Sequence, residues 1–256
     1  MAIYVVDGLP RHGKTAWVVS HVPKWLKEAR DKGWKLYSNV WIKVEQIKWI
    51  TKAYKKPTDC IGDIYSKKDR DNPKKLLYYW RDLDAWEHMT HGTIIADEAQ
   101  RYFNARRWQT LSDDIEMKLT QHGKDELDVY ACTQHYTRID AVCRVITEKF
   151  YRVTRTLGFG NTTWTARITE HYLHELERWE RNPEAYEYGT TKPKDGKEEG
   201  GKPVSAENFI IWPWIKRLYD TKQQVLPSKP MLLKHVERHC GKKGCKLHKK
   251  PKVTHL

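Results

Sequence analysis

The chain is short of cysteine, short of acidic residues relative to basic ones, and without a long apolar run. Its five cysteines, Cys60, Cys132, Cys143, Cys240 and Cys245, are odd in number and scattered over 256 residues. That argues against a disulfide framework and fits a reducing compartment. No stretch approaches the roughly eighteen consecutive apolar residues of a membrane-spanning helix. The first residues already read as a strand and not as a signal peptide, so a soluble chain is expected. Acids number 33 against 47 Lys and Arg, leaving a formal charge of +14 and a pI near 9.4. Such an excess favours a polyanionic partner, nucleic acid foremost, or an anionic membrane surface. The length suits one sizeable core with a small appendage.

What is present is more specific. The apolar run Ile3, Tyr4, Val5, Val6 leads into GLPRHGKT and then into a helical pattern, the order strand, phosphate loop, helix. In the spacing GxxxxGKT the backbone wraps into a concave nest whose N–H groups point at phosphate oxygens. Gly8 and Gly13 permit the wrapping, and Leu9, Pro10, Arg11 and His12 form its wall. Lys14 reaches the β and γ phosphates, Thr15 offers a hydroxyl to Mg²⁺, and Ala16 opens the helix whose N-terminus adds partial positive charge. The ligands expected are ATP and Mg²⁺.

About eighty residues on, GTIIADE reads as a buried parallel strand ending in two acids, at the strand end where open α/β sheets place their ligands. Asp97 is expected to hold Mg²⁺ and Glu98 to orient and polarise the attacking water.

The intervening and following segments alternate in type. Residues 16–32 carry apolar Trp17, Val18, Val22, Trp25 and Leu26 at helical spacing, with Pro23 set to kink or divide the helix. KLYSNV, residues 35–40, reads as a strand. Residues 43–84 loosen into a basic, aromatic region, with loops at 55–57 and 66–75; contact with DNA and plain solvation both fit it. Residues 112–121 read as a helix capped by Ser112, with Asp113 and Asp114 in its first turn. LDVYACT, residues 127–133, is a strand ending at Gln134, positioned to sense the γ phosphate or align the water, or else to cap a loop. Residues 139–146 read as a helix and 149–155 as a strand. Up to about residue 155 this is an α/β pattern whose crossovers imply a parallel sheet. The stretches 151–155 and 162–170 alternate as a hairpin or edge strands, 171–181 is charged, and 189–203 is a low-hydrophobicity loop. The expected division is a core over 1–180, a loop and peripheral C-terminal segment over 181–233, and a basic tail over 234–256. The 12 Trp and 14 Tyr suit base stacking or the filling of cores and edges.

Taken together, the GKT loop, the SNVWI strand and above all ADEAQRYFNARRW resemble the zonula occludens toxin (Zot) domain family, the gene I protein ATPases of filamentous bacteriophage assembly, relatives of the FtsK and HerA translocases. The family pattern after the acidic pair falls here on Phe103, Asn104, Arg106 or Arg107, and Trp108. Ile139, Asp140 and Arg144 follow the Gln134 strand as in the family, and YDTKQ from Tyr219 resembles a tail motif. The resemblance implies a P-loop NTPase with a RecA/FtsK-like, mostly parallel sheet flanked by helices and a short C-terminal extension. It also implies a homo-oligomeric ring, a hexamer by expectation, that hydrolyses ATP to move viral DNA, expected to be the single-stranded genome, in the host cytoplasm or at the inner membrane. A ring supplies a cation across each interface to the developing charge on the γ phosphate, and Arg101, Arg106 and Arg107 are the candidates.

The family commonly continues into a membrane-spanning helix and a periplasmic tail. Here residues 234–252 instead hold eight Lys or Arg and one Glu. A soluble member working beside a separate membrane protein and a packaging ATPase both fit. In that tail Cys240, Cys245 and His248, with His235 and His239 nearby, suggest zinc, or a basic tail with incidental ligand-type residues. Its lysines suit phosphate backbones or anionic lipid. Against the DNA motor stand an ATP-dependent factor remodelling coat protein or inner membrane, and a degenerate ATPase acting as a scaffold.

Overall fold

The structure, a computed structural model, describes residues 2–104, 113–121, 123–159, 163–174, 176–177 and 203–219. They form one nine-stranded sheet flanked by helices on both faces. The strands are β1 (Ile3–Asp7), β2 (Lys35–Ser38), β3 (Ile61–Asp63), β4 (Leu77–Tyr79), β5 (Gly92–Ala96), β6 (Leu127–Thr133), β7 (Lys149–Phe159), β8 (Thr163–His171) and β9 (Ser205–Ile211). Their order across the sheet is β3-β4-β2-β5-β6-β1-β7-β8-β9. From β3 to β7 every neighbouring pair is parallel, while β8 and β9 run on antiparallel.

The helices are α1 (Lys14–Ser20), α2 (Val22–Lys32), α3 (Lys48–Ala53), α4 (Lys67–Arg70), α5 (Asp113–Thr120), α6 (Ala141–Val145) and α7 (Pro213–Leu218). One apolar layer joins α1, α2, α3 and α7 to one face of the sheet through Val18, Val19, Leu26, Ile50, Ile215 and Leu218. The other face is covered by a 3₁₀ turn at Leu83–His88, α5 and α6, with Trp86, Leu119 and Cys143 buried. Parallel strands need crossovers, and covering both faces makes the central strands apolar throughout. Both Ile94 and Ile95 of β5 are fully buried for that reason.

Pro23 divides the expected long helix in two. It sits in the first turn of α2, where its missing N–H is tolerated but cannot continue the ladder of α1. Gly33, at φ 74°, closes α2 in the left-handed conformation.

The region 43–84 is more ordered than its sequence suggested. It supplies β3 and β4, each three residues long, too short for an alternation to show. Within the expected loop at 66–75, Ser66 accepts a hydrogen bond from the Asp69 N–H at 3.4 Å and caps the single turn α4. The strand after Gln134 also runs longer than expected, to Phe159.

Residues 205–219, placed by sequence in a peripheral segment, add an edge strand and a helix to the same core, burying Ile211, Ile215 and Leu218. The run Ser205, Ala206, Glu207, Asn208 hid this strand, since an edge strand wets most of its side chains. Ser112, residues 178–202 and the tail from 220 onward lie outside the described residues, and with them the Cys240, Cys245 and His248 zinc reading.

Candidate active site

The loop between β1 and α1 opens at the carboxyl end of the parallel sheet. Gly8 has φ 150° and Gly13 φ 100°. A side chain at Gly8 would place its Cβ 2.3 Å from the Val153 carbonyl oxygen, and one at Gly13 would meet Ile211 Cδ1 at 2.6 Å. Glycine is therefore required twice over, by backbone conformation and by the closeness of β7 and β9. Arg11 also takes a positive φ of 65°, and Leu9, Pro10 and Arg11 are exposed along the loop's outer wall. His12 donates its N–H to the Leu9 carbonyl at 3.2 Å, and Trp17 donates to the Gly13 carbonyl at 2.8 Å as α1 begins. The first-turn N–H groups of α1, from Lys14, Thr15 and Ala16, have no carbonyl within the helix to bond.

Lys14 is buried, and its ammonium donates to the Gly8 carbonyl at 2.7 Å and the Leu9 carbonyl at 3.0 Å. The charge is thus held at the mouth of the loop by weak neutral acceptors that a phosphate oxygen would outcompete. Thr15 donates its hydroxyl to Asp97 Oδ1 at 3.1 Å, which joins the phosphate loop to the end of β5.

Asp97 is fixed by its backbone. Its N–H donates to Asn39 Oδ1 at 2.8 Å, and Asn39 Nδ2 donates back to the Asp97 carbonyl at 2.8 Å. The side chain is left to face Thr15. Burial, reinforced by the neighbouring Glu98 charge, pushes its carboxyl up to about 6, against the opposing pull of the Thr15 hydroxyl and the Lys14 ammonium. A hydroxyl and a carboxylate converging this closely form a hard oxygen pair that suits Mg²⁺. Among the described residues no three His, Cys, Asp or Glu side chains converge, so such an ion would complete its shell with phosphate oxygens and water.

Glu98 occupies the left-handed region at φ 51°, ψ 44°, an uncommon place for a non-glycine residue. A 3₁₀ turn over Ala99–Arg101 follows at once. Gln100 donates its amide to Glu98 Oε2, and Gln134, at the end of β6, donates to the same oxygen at 3.5 Å. Arg138 then donates to Gln134 Oε1 at 2.8 Å. That guanidinium can meet only the oxygen side of the amide, so it fixes the NH₂ of Gln134 towards Glu98.

The structure thus brings Lys14, Thr15, Asp97, Glu98 and Gln134 to one sheet edge, β6 standing between the strands that carry the loop and the acids. Arg101 lies exposed on the 3₁₀ turn behind Glu98, while Arg106 and Arg107 lie outside the described residues. The two halves of the arginine-rich motif region are physically joined. Asn104 pairs with Ile139, and Asp140 donates its N–H to the Phe103 carbonyl at 3.0 Å.

Five residues here were not singled out from the sequence: Asn39, Gln100, Arg138 and the pair Asp7 and Arg152. Asp7, 1 % exposed at the end of β1, accepts from Arg152 Nη2 at 2.8 Å and Nε at 3.2 Å. This two-point bridge locks the loop's entry to β7. Asn39 alone had a signal, a short amide just past the end of a core strand.

A family model described as zonular occludens toxin (Zot) matches residues 2–184, most of the chain. The chain belongs to the Zot family. Among solved structures, this Zot-family chain is similar to the N-terminal domain of zonular occludens toxin from Neisseria meningitidis, at 17 % identity and a TM-score of 0.48 over 86 % of this chain and 98 % of that one. It is also similar to the genome packaging NTPase B204 of Sulfolobus turreted icosahedral virus 2, at 15 % identity and a TM-score of 0.42 over 59 % and 73 %. A third likeness is to the flagellar accessory protein FlaH of Methanocaldococcus jannaschii, at 13 % identity and a TM-score of 0.40 over 67 % and 77 %. No curated protein matches by sequence. The P-loop NTPase fold of this Zot-family chain is read from its own strand order and loop and from the family match.

Proposed function

We propose that this Zot-family chain is an ATP hydrolase that moves DNA during virion assembly, acting as a ring of identical subunits. The observation that carries the reading is the 3.1 Å bond from Thr15 to Asp97, with Lys14 on one side of it and the Glu98–Gln134 pair on the other. The loop's backbone N–H groups and Lys14 bind the β and γ phosphates. Thr15 and Asp97 would hold Mg²⁺, which when bound neutralises charge on the transferring phosphoryl group. Glu98 accepts a proton or hydrogen bond from water as the water oxygen bonds to the γ phosphorus. The bond to the β–γ bridging oxygen breaks, and the electron pair leaves with ADP. Gln134, oriented by Arg138, keeps the Glu98 carboxylate facing that water.

The charge of +14 supports a nucleic-acid track, since a basic surface binds phosphate backbones by releasing counterions. A ring is the arrangement in which an arginine can reach a neighbour's γ phosphate and add positive charge there. Arg101, Arg106 and Arg107 are the residues offered for that role.

The test is the ATP hydrolysis rate without DNA, with single-stranded DNA and with duplex DNA, alongside Glu98→Gln. Stimulation by one form, lost in the variant, supports the motor and names its track. Hydrolysis indifferent to both forms replaces it with a coat or membrane remodelling factor.

A further inference from the structure

The phosphate site has a direction. Glu98 and Gln134 lie just past the carboxyl ends of β5 and β6, on one flank of β1, so the γ phosphate faces that flank. The α phosphate and nucleoside must then lie towards the other flank, where β7, β8 and β9 stand.

On that flank the strands outrun β1. Asp7, the last residue of β1, is level with Arg152, and β7 continues past it to Arg155, which pairs with Ala166 of β8. Trp164 of β8 pairs with Ile211 of β9. Residues two apart along a strand share a face. Val153, Ala166 and Ile211 belong to the apolar layer under α1, so Arg155 and Trp164 project on that same face, beside the phosphate loop. The contact of Ile211 and Ala166 with Gly13 fixes the spacing, since a Cβ there would lie 2.6 and 3.9 Å from them.

At this place the chain has built a stack. The Arg155 guanidinium lies 3.9 Å from the centre of the Trp164 ring, and the Lys216 ammonium of α7 lies 4.9 Å from it. Arg155 is exposed and Trp164 half-buried. The chain then runs on through Trp212, 50 % exposed, and Trp214, 45 % exposed. A planar guanidinium backed by an indole keeps its outer face open to a further flat group, and purines stack on arginine planes as they do on aromatic rings.

We propose that the Arg155–Trp164–Lys216 cluster is the nucleobase end of the nucleotide site, with the base stacked on Arg155 against Trp164 and Lys216 placed for ribose and α-phosphate oxygens. The proposal rests on the nucleotide reading of the loop. It adds which flank receives the base and which residues hold it.

Calorimetric binding of ATP and of inorganic tripolyphosphate separates the parts, because tripolyphosphate has phosphates and no base. Arg155→Ala and Trp164→Ala are expected to weaken ATP roughly tenfold or more, the worth of one stacked base, while tripolyphosphate affinity holds. Trp164→Phe, which keeps a ring and the packing, is expected to retain most ATP affinity and guards against a folding artefact in the alanine variant. Equal loss of both ligands in Arg155→Ala, or loss of neither, overturns the proposal and leaves the phosphate site standing. Loss of single-stranded DNA binding with ATP affinity unchanged also overturns it, in favour of a DNA-base contact. If the unaltered chain binds neither ATP nor tripolyphosphate, the nucleotide reading falls as well.

Discussion

Asp97 and its neighbours show how much chemistry a single carboxylate can carry. Its carboxyl is raised to about 6 by burial first and by the Glu98 charge second. A carboxyl raised in the folded state stabilises the fold at low pH, where it is protonated, and that contribution is lost as pH climbs from about 4 through about 6. Above pH 6 the folded chain holds a half-buried charge that desolvation and the neighbouring Glu98 disfavour. Asp97→Asn removes that charge, so without nucleotide the variant is expected to melt above the parent chain at pH 7.5, the difference closing near pH 4. Thermal unfolding across that range checks it, and a gap that widens towards low pH would contradict the assignment. Glu98 was legible in sequence as one of two acids at a strand end. Its left-handed backbone and its bond to Gln100 were not, because nothing local in ADEAQ demands them.

Among the elements, β1 and β7 hold the loop from its entry side. Arg152 bridges Asp7 through two guanidinium nitrogens, and Asp7 has almost no exposure. Arg152→Ala would leave that carboxylate buried and unpaired, at a cost of about 3–5 kcal/mol. The expected result is a fall in melting temperature of roughly ten degrees, with partial recovery in the double variant Asp7→Asn/Arg152→Ala. Equal melting temperatures would mean that water reaches Asp7. Sequence reading recognised β1, β5 and β6 because each is an apolar run bounded by turn or charge signals. It missed β3, β4 and β9 because two are too short for periodicity and the third is an edge strand with polar side chains. Pro23 announced a break in its helix from sequence alone, and α1 and α2 part at that point.

For the whole molecule, the excess of positive charge sets the expected behaviour towards DNA. Binding dominated by phosphate contacts weakens linearly in log affinity against log salt. A steep negative slope in single-strand binding between about 50 and 200 mM salt is expected, measured by anisotropy, and a flat dependence would count against a backbone-gripping track. No helix among the described residues is long and apolar enough to cross a membrane. The sequence by itself determined the phosphate loop, the acidic strand end, the Gln134 strand and the family, because each is a local pattern whose spacing carries its own mechanism. Only the tertiary structure decided which distant groups meet. Asn39 on Asp97, Gln134 on Glu98, Arg152 on Asp7, and Arg155 with Lys216 on Trp164 are pairings between separate elements. Their register is fixed by sheet order and core packing and leaves no trace in the spacing of residues along the chain.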